Sequence, residues 1–145
     1  MLYYQMICAG SGITPMYQGL QALFDGDIDS ETAVTLLYGS KSMEDILLKV
    51  ELDDLAAAHP DRLTLVYVVG QSPTDLAPEG AHEGGWIDAA KVAKYTPAPS
   101  PERSVFVCGL PAMYKALCGS RVCPDVAEGS VLAELGFRAE HVVKF

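Results

Sequence analysis

Near the start of the chain an apolar run, Met6-Ile7-Cys8-Ala9, breaks into Gly10-Ser11-Gly12 and then into Ile13-Thr14-Pro15-Met16. Small residues in such a turn let backbone amides approach a ligand, and the positive end of a following helix faces whatever lies over them. The chemistry on offer is anion binding, with a nucleotide pyrophosphate as the natural occupant. Thr14 has the hydroxyl of a helix N-cap, and Pro15 suits the first helical position, where a missing N–H costs nothing. Met16, Tyr17, Leu20, Leu23 and Phe24 recur at helical spacing and continue the element. A short glycine turn between strand and helix is also ordinary punctuation. The G-x-G-x-x-G fingerprint is not completed, because Pro15 stands where its third glycine belongs.

A second junction has the same design. The apolar run over 104–108 ends in Cys108 and turns through Gly109-Leu110-Pro111 into a helix that starts over 113–117. By itself Cys108 reads more readily as a small buried residue closing a strand, a reading that Gly109, Pro111 and Met113 beside it reverse.

The elements that must position these junctions alternate along the chain. Residues 32–38 read as a strand buried on both faces, ending at Gly39-Ser40-Lys41. Ser42 with Asp45 approximates a capping box, and Ile46, Leu47, Val50 and Leu55 give the next helix an apolar face that Pro60 closes. Residues 63–69 form a third, continuously apolar strand, completing a β-α-β-α-β half. From Gly70 to Gly85 runs a long polar loop, functional or mobile, which Trp86 and Ile87 anchor. Asp88 caps a short helix reaching Lys94, and Pro97, Pro99 and Pro101 enforce an extended connection. Residues 119–127 look irregular, 131–135 helical with Gly136 as terminator, and 141–145 form a last strand. The pattern implies an α/β fold: an open parallel, Rossmann-like sheet of about five strands with helices on both faces. Ligands then bind at the carboxyl ends of strands where strand order reverses, and both glycine junctions belong there.

At 145 residues and 50% hydrophobic content, a single domain over 1–145 is expected, burying roughly 70% of its unfolded surface. A net charge of −9 argues against nucleic acid or an anionic membrane surface as partner. No apolar run approaches the roughly 20 residues of a membrane span, and the start lacks the marks of a secretory signal. Cys8, Cys108, Cys118 and Cys123 form no zinc pattern, and His59, His82 and His141 show no ligand spacing. No metal is expected, and the default location is cytoplasmic, or the cytosolic face of a membrane through a region outside these residues.

Together these stretches resemble the pyridine-nucleotide domain of the ferredoxin-NADP reductase superfamily, most closely its cytochrome b5 reductase and nitrate reductase branch. The likeness rests on Ala9-Gly10-Ser11-Gly12-Ile13-Thr14-Pro15-Met16, Glu44-Asp45-Ile46-Leu47-Leu48 with Glu51-Leu52, Gly85-Trp86-Ile87-Asp88, Cys108-Gly109-Leu110-Pro111-Ala112-Met113, and Leu135-Gly136 running to Phe145. The resemblance implies NADH as cofactor, with its pyrophosphate on Gly10, Ser11, Gly12 and Thr14 beside Pro15. It implies that Cys108, followed by Gly109, Leu110, Pro111 and Met113, lies against the nicotinamide and orients the ring for hydride transfer. Phe145 matches the family's terminal aromatic near the flavin, free to move as a gate; the plainer alternative is a sheet-edge residue filling a gap.

The sequence departs from the family at Ala9, where a glycine is usual, and at Leu110 and Ala112, where prolines are common. Where NADH-preferring relatives often carry an acidic residue, the chain has Gly70, Gln71 and Ser72, so NADPH is not excluded. The family's flavin motif, Arg-x-Tyr-Ser/Thr, does not occur. The resemblance therefore implies FAD on a separate domain and a haem protein such as cytochrome b5 as electron acceptor, with the isolated domain inactive. A stand-alone nucleotide-binding or interaction module without catalysis is the alternative. A Rossmann-type dehydrogenase is less favoured, since Gly39-Ser40-Lys41 lacks its acidic ribose residue.

Overall fold

The computed structural model describes residues 2–25, 31–70 and 81–145. Six strands, β1 (Tyr3–Ala9), β2 (Ala33–Ser40), β3 (Leu63–Val69), β4 (Ala81–Gly84), β5 (Arg103–Cys108) and β6 (Val142–Lys144), lie in the order β4-β3-β2-β1-β5-β6. Every neighbouring pair is parallel. Five helices surround them: α1 (Ile13–Asp25), α2 (Lys49–Ala58), α3 (Ala89–Tyr95), α4 (Pro111–Leu117) and α5 (Val131–Glu134). The fold is the expected Rossmann-like α/β sheet, with six strands in place of about five. The addition is β4, inside the stretch read as loop. It pairs with β3 alone, and an edge strand needs no apolar run to announce it.

The continuous apolar strands resolve into two buried faces. Met6 and Cys8, Leu36 and Tyr38, and Leu65 and Tyr67 point to one side, where Ile13, Met16, Leu20 and Phe24 of α1 and Leu52 of α2 cover them. Ile7, Leu37, Val66, Val68, Val105 and Val107 point to the other, beneath Val92 of α3, Tyr114 and Leu117 of α4, and Leu132 of α5. Each fully buried Leu or Ile contributes about 1.5–3 kcal/mol, so the alternation along every central strand fixes which face each helix must cover.

Two helix starts differ from expectation. Gly10–Gly12 form a 3-10 turn running directly into α1, with Ala9 at the N-cap position. Thr14 is thus inside the helix rather than capping it. Pro15 is the third residue of α1 rather than the first, still within the turn where proline is tolerated.

The second case is α2. A single helix from Ser42 is replaced by a 3-10 turn (Met43–Asp45), an extended Ile46, and Leu48 in the left-handed region at φ 60° before α2 begins. The cause is Tyr38, whose hydroxyl accepts from the Leu47 N–H at 2.9 Å and lies 3.2 Å from the Leu47 carbonyl oxygen, occupying groups a helix would use. Ile46 stays buried and Leu52 takes over the apolar face, leaving Leu47 and Val50 exposed. The capping box is not formed; Ser42 Oγ instead donates to Asp45 Oδ2 at 2.7 Å. Tyr38→Phe should therefore cost about 1–2 kcal/mol by stranding both Leu47 backbone groups, read as a lower urea midpoint at unchanged slope.

Later elements follow the sequence more closely. Asp88 caps α3, its Oδ1 accepting from the Lys91 N–H at 2.9 Å. Glu83 of β4 accepts from Lys94 and from the Tyr95 hydroxyl, tying the edge strand to α3, and the Lys94 bond in particular holds its carboxyl below the usual range. Residues 119–127 are irregular as expected, gathered by Lys144, whose ammonium donates to the carbonyls of Ser120, Cys123 and Asp125. Gly136, at φ 91°, follows α5 as its spacing predicts. Trp86 is not an anchor: it is 77% exposed, and Ile87 alone packs onto the second face.

Candidate functional site

Strand order reverses between β1 and β5. From β1 the chain builds β2, β3 and β4 to one side, then returns to place β5 and β6 on the other. Cys8 and Cys108 are register partners at the carboxyl ends of these two adjacent parallel strands, so the glycine junctions that follow lie side by side. The approach is close: a Cβ on Gly12 would meet the Cys108 carbonyl, its carbon only 2.8 Å away and the Gly109 nitrogen 3.3 Å away. Gly12 is buried, and what it needs is space for a hydrogen in place of a side chain. Gly10 is the contrasting case, exposed, in the left-handed region at φ 55°, with open space where a Cβ would stand. Ser11 and Thr14 are exposed beside it.

From this junction a cleft of about 730 Å³ runs along the carboxyl ends of β1 to β4. That is ample for a nucleotide-sized ligand. Its walls are Ala9 and Gly10; Gly39, Ser40, Lys41 and Asp45; Val68 and Gly70; Gly85, Trp86 and Ile87; and Leu110, Ala112, Met113 and Ala116. Trp86 and Leu110, at 77% and 71% exposure, leave large apolar surfaces open at this edge.

Of the residues singled out from sequence, Gly10, Gly70, Leu110 and Met113 line the cleft. Gly12 and Gly109 approach each other where β1 meets β5, with Ser11 in the 3-10 turn, Thr14 and Pro15 in the first turn of α1 and Pro111 opening α4; none of these six lines the cleft. Gln71 and Ser72 lie outside the described residues. Sequence reasoning missed Gly39, Ser40, Lys41, Asp45, Ala112 and Ala116 as wall residues and misread Trp86. The rule that ligands gather beyond strand ends pointed to Gly39-Ser40-Lys41 as directly as to Gly70.

Cys108 is half-buried against the core under α1 and α2, beside Cys8, whose thiol is pushed well up by complete burial. The Tyr114 hydroxyl lies within hydrogen-bond reach of the Val107 and Phe145 backbone oxygens. Burial raises its pKa first, and the neighbouring thiol adds to this. Phe145, expected as a gate, has its backbone tied into the sheet. Its N–H donates to the Val107 carbonyl at 3.0 Å, extending the β5–β6 ladder, and its ring centroid lies 6.1 Å from that of Phe106. The residue is 39% exposed on this tethered backbone.

Among the described residues no three His, Cys, Asp or Glu side chains come together to hold a metal, and no helix is long and apolar enough to cross a membrane.

A parallel sheet with helices on both faces and a cleft beyond its strand ends is the architecture of the nucleotide-binding α/β class. Within that class the chain belongs to the oxidoreductase NAD-binding domain family, whose model matches residues 6–119. It is 46% identical over 143 residues to NADH-cytochrome b5 reductase 2 of Scheffersomyces stipitis, covering 97% of this chain and 46% of that protein. To the protein of the same name in Meyerozyma guilliermondii it is 43% identical over 142 residues, covering 97% and 47%. The cytochrome b5 reductase domain of Ulva prolifera nitrate reductase superposes with a TM-score of 0.80 at 30% identity, over 99% of this chain and 48% of that one. These likenesses agree with the cytochrome b5 reductase and nitrate reductase branch that the sequence resembles. The chain spans about half the length of the curated relatives it matches.

Proposed function

We propose that the chain is the NADH-binding half of a cytochrome b5 reductase-like flavoenzyme, in which hydride passes from NADH to FAD on a separate domain and electrons go onward to a haem protein such as cytochrome b5. One observation carries the reading: Gly12 and the Cys108 carbonyl pack so closely that the two glycine junctions form one continuous surface at the strand-order reversal.

In this reading Gly10, Ser11, Gly12 and Thr14, followed by Pro15, hold the pyrophosphate, and the amino-terminal end of α1 opposes its charge. The adenosine half lies along the ends of β2 and β3, over Gly70 with Gln71 and Ser72 following. Cys108, Gly109, Leu110, Pro111 and Met113 shape the nicotinamide end, and Phe145, fixed through Val107 and Tyr114, borders it. The close fit of Gly12 and the cleft volume suit a dinucleotide. What these residues contribute is geometry, since hydride donor and acceptor carbons must be held roughly 3–3.5 Å apart. The isolated chain then binds nucleotide without turning it over, and its working location is the cytosol or the cytosolic face of a membrane.

Adding a flavin domain from a related reductase tests this. Restored NADH-dependent reduction of ferricyanide is the expected result. Nucleotide binding with no reduction would instead support a stand-alone module, and absence of nucleotide binding overturns the reading altogether.

A further inference from the structure

At the carboxyl end of β2 the cleft carries Gly39, Ser40 and Lys41, and the end of β3 meets them there. The Gly70 N–H donates to the Ser40 carbonyl at 2.9 Å, and a Cβ on Gly70 would lie 3.4 Å from the Lys41 carbonyl oxygen. In doubly wound dinucleotide folds the residues beyond the first β-α-β unit meet the adenosine ribose. A carboxylate there bonds a free 2′-hydroxyl, whereas a cation accommodates a 2′-phosphate. In this chain the place is held by Lys41, and neither Gly39, Ser40 nor Gly70 offers a carboxylate.

The Lys41 ammonium is available. Its residue is exposed, and among the described residues it takes part in no ion pair or hydrogen bond. Asp45, the carboxylate that shares the cleft wall, accepts from Ser42 and makes no ion pair with Lys41. Lys91, near Gly85 at the far wall, is already paired with Asp88 at 3.0 Å. On a chain of net charge −9 an unpaired cation at this edge is the local feature that favours a dianion against general repulsion. An ammonium on a flexible stem serves as a point charge for a phosphomonoester.

We propose that Lys41 is a specificity-determining residue that admits a 2′-phosphate, so that the cleft accepts adenine nucleotides of the NADPH class and does not reserve itself for NADH. This rests on the cleft being the nucleotide site.

The test compares 5′-AMP with adenosine 2′,5′-bisphosphate, which differ only in the 2′-phosphate. Binding to the 145-residue chain is followed by calorimetry, with Trp86, its sole tryptophan, as a fluorescent reporter in the cleft. The bisphosphate should bind about fivefold or more tightly at low salt, with the preference shrinking as salt rises. Lys41→Gln should abolish the preference by weakening the bisphosphate much more than 5′-AMP, while Lys41→Glu should reverse it. Equal binding by the unmodified chain, or a preference that survives Lys41→Gln, overturns the proposal and leaves the nucleotide site standing. Binding of neither compound at millimolar concentration overturns both.

Discussion

Gly12→Ala destabilises the fold by about 2–3 kcal/mol and abolishes nucleotide binding. The added methyl meets the Cys108 carbonyl, whose carbon would be 2.8 Å away, and a backbone carbonyl in a central strand cannot rotate aside as a side chain can. Either β1 and β5 separate at their carboxyl ends or the turn over Gly10–Gly12 is displaced, and both changes pull apart the surface on which the pyrophosphate is to rest. Gly19→Ala is the matched control. Its Cβ would make an ordinary contact, 3.5 Å from Met6 Cε, and in the interior of α1 alanine is favoured over glycine by about 0.5–1 kcal/mol. Urea unfolding and calorimetry should therefore separate the two variants in opposite directions. A Gly12→Ala protein as stable as its parent would contradict the close packing.

Cys108→Ser, in enzyme reconstituted with a flavin domain, should lower turnover by about tenfold or more with little change in KM for NADH. The thiol closes β5 half-buried against apolar neighbours, one residue after Val107, whose carbonyl holds the Phe145 N–H and lies within reach of the Tyr114 hydroxyl. A serine hydroxyl is shorter and a stronger hydrogen-bonding group. In that apolar setting it must find a new partner, which shifts the wall against which the nicotinamide is to lie. Misplacement of the order of 1 Å costs up to about 100-fold in rate, whereas binding energy gathered along the rest of the nucleotide is untouched. A fall in kcat and kcat/KM together is the mark of a contact used in the transition state. Undiminished hydride transfer would remove Cys108 from the reacting centre and leave it a strand-end residue.

What the sequence made legible were the features carried by residue type over a few positions. Apolar runs at 63–69 and 104–108 marked central strands, Asp88 marked a helix start, and Gly136 marked a helix end. The two glycine junctions were legible for the same reason, since strand, small residues and helix follow one another without a gap. The parts that were hidden depend on groups distant in the chain. The break before α2 is imposed by Tyr38 from the neighbouring strand, and β4 exists only because β3 offers it an edge. Phe145 is tethered by Tyr114, 31 residues earlier. Lys41 and Trp86 line one cleft with Gly10 because the sheet order brings the ends of β1, β2 and β4 together, which no local pattern announces.

The most direct test of where the nucleotide lies is the amide spectrum of the 15N-labelled chain titrated with NAD+. The expected result is that the largest shifts fall on residues 10–14 and 108–110, with smaller ones at Gly39 to Lys41 and Gly70. Tyr3 and Arg103, at the opposite ends of β1 and β5, should stay in place. Shifts centred on that opposite edge, or a spectrum unchanged at millimolar NAD+, would contradict a nucleotide site at the paired glycine junctions.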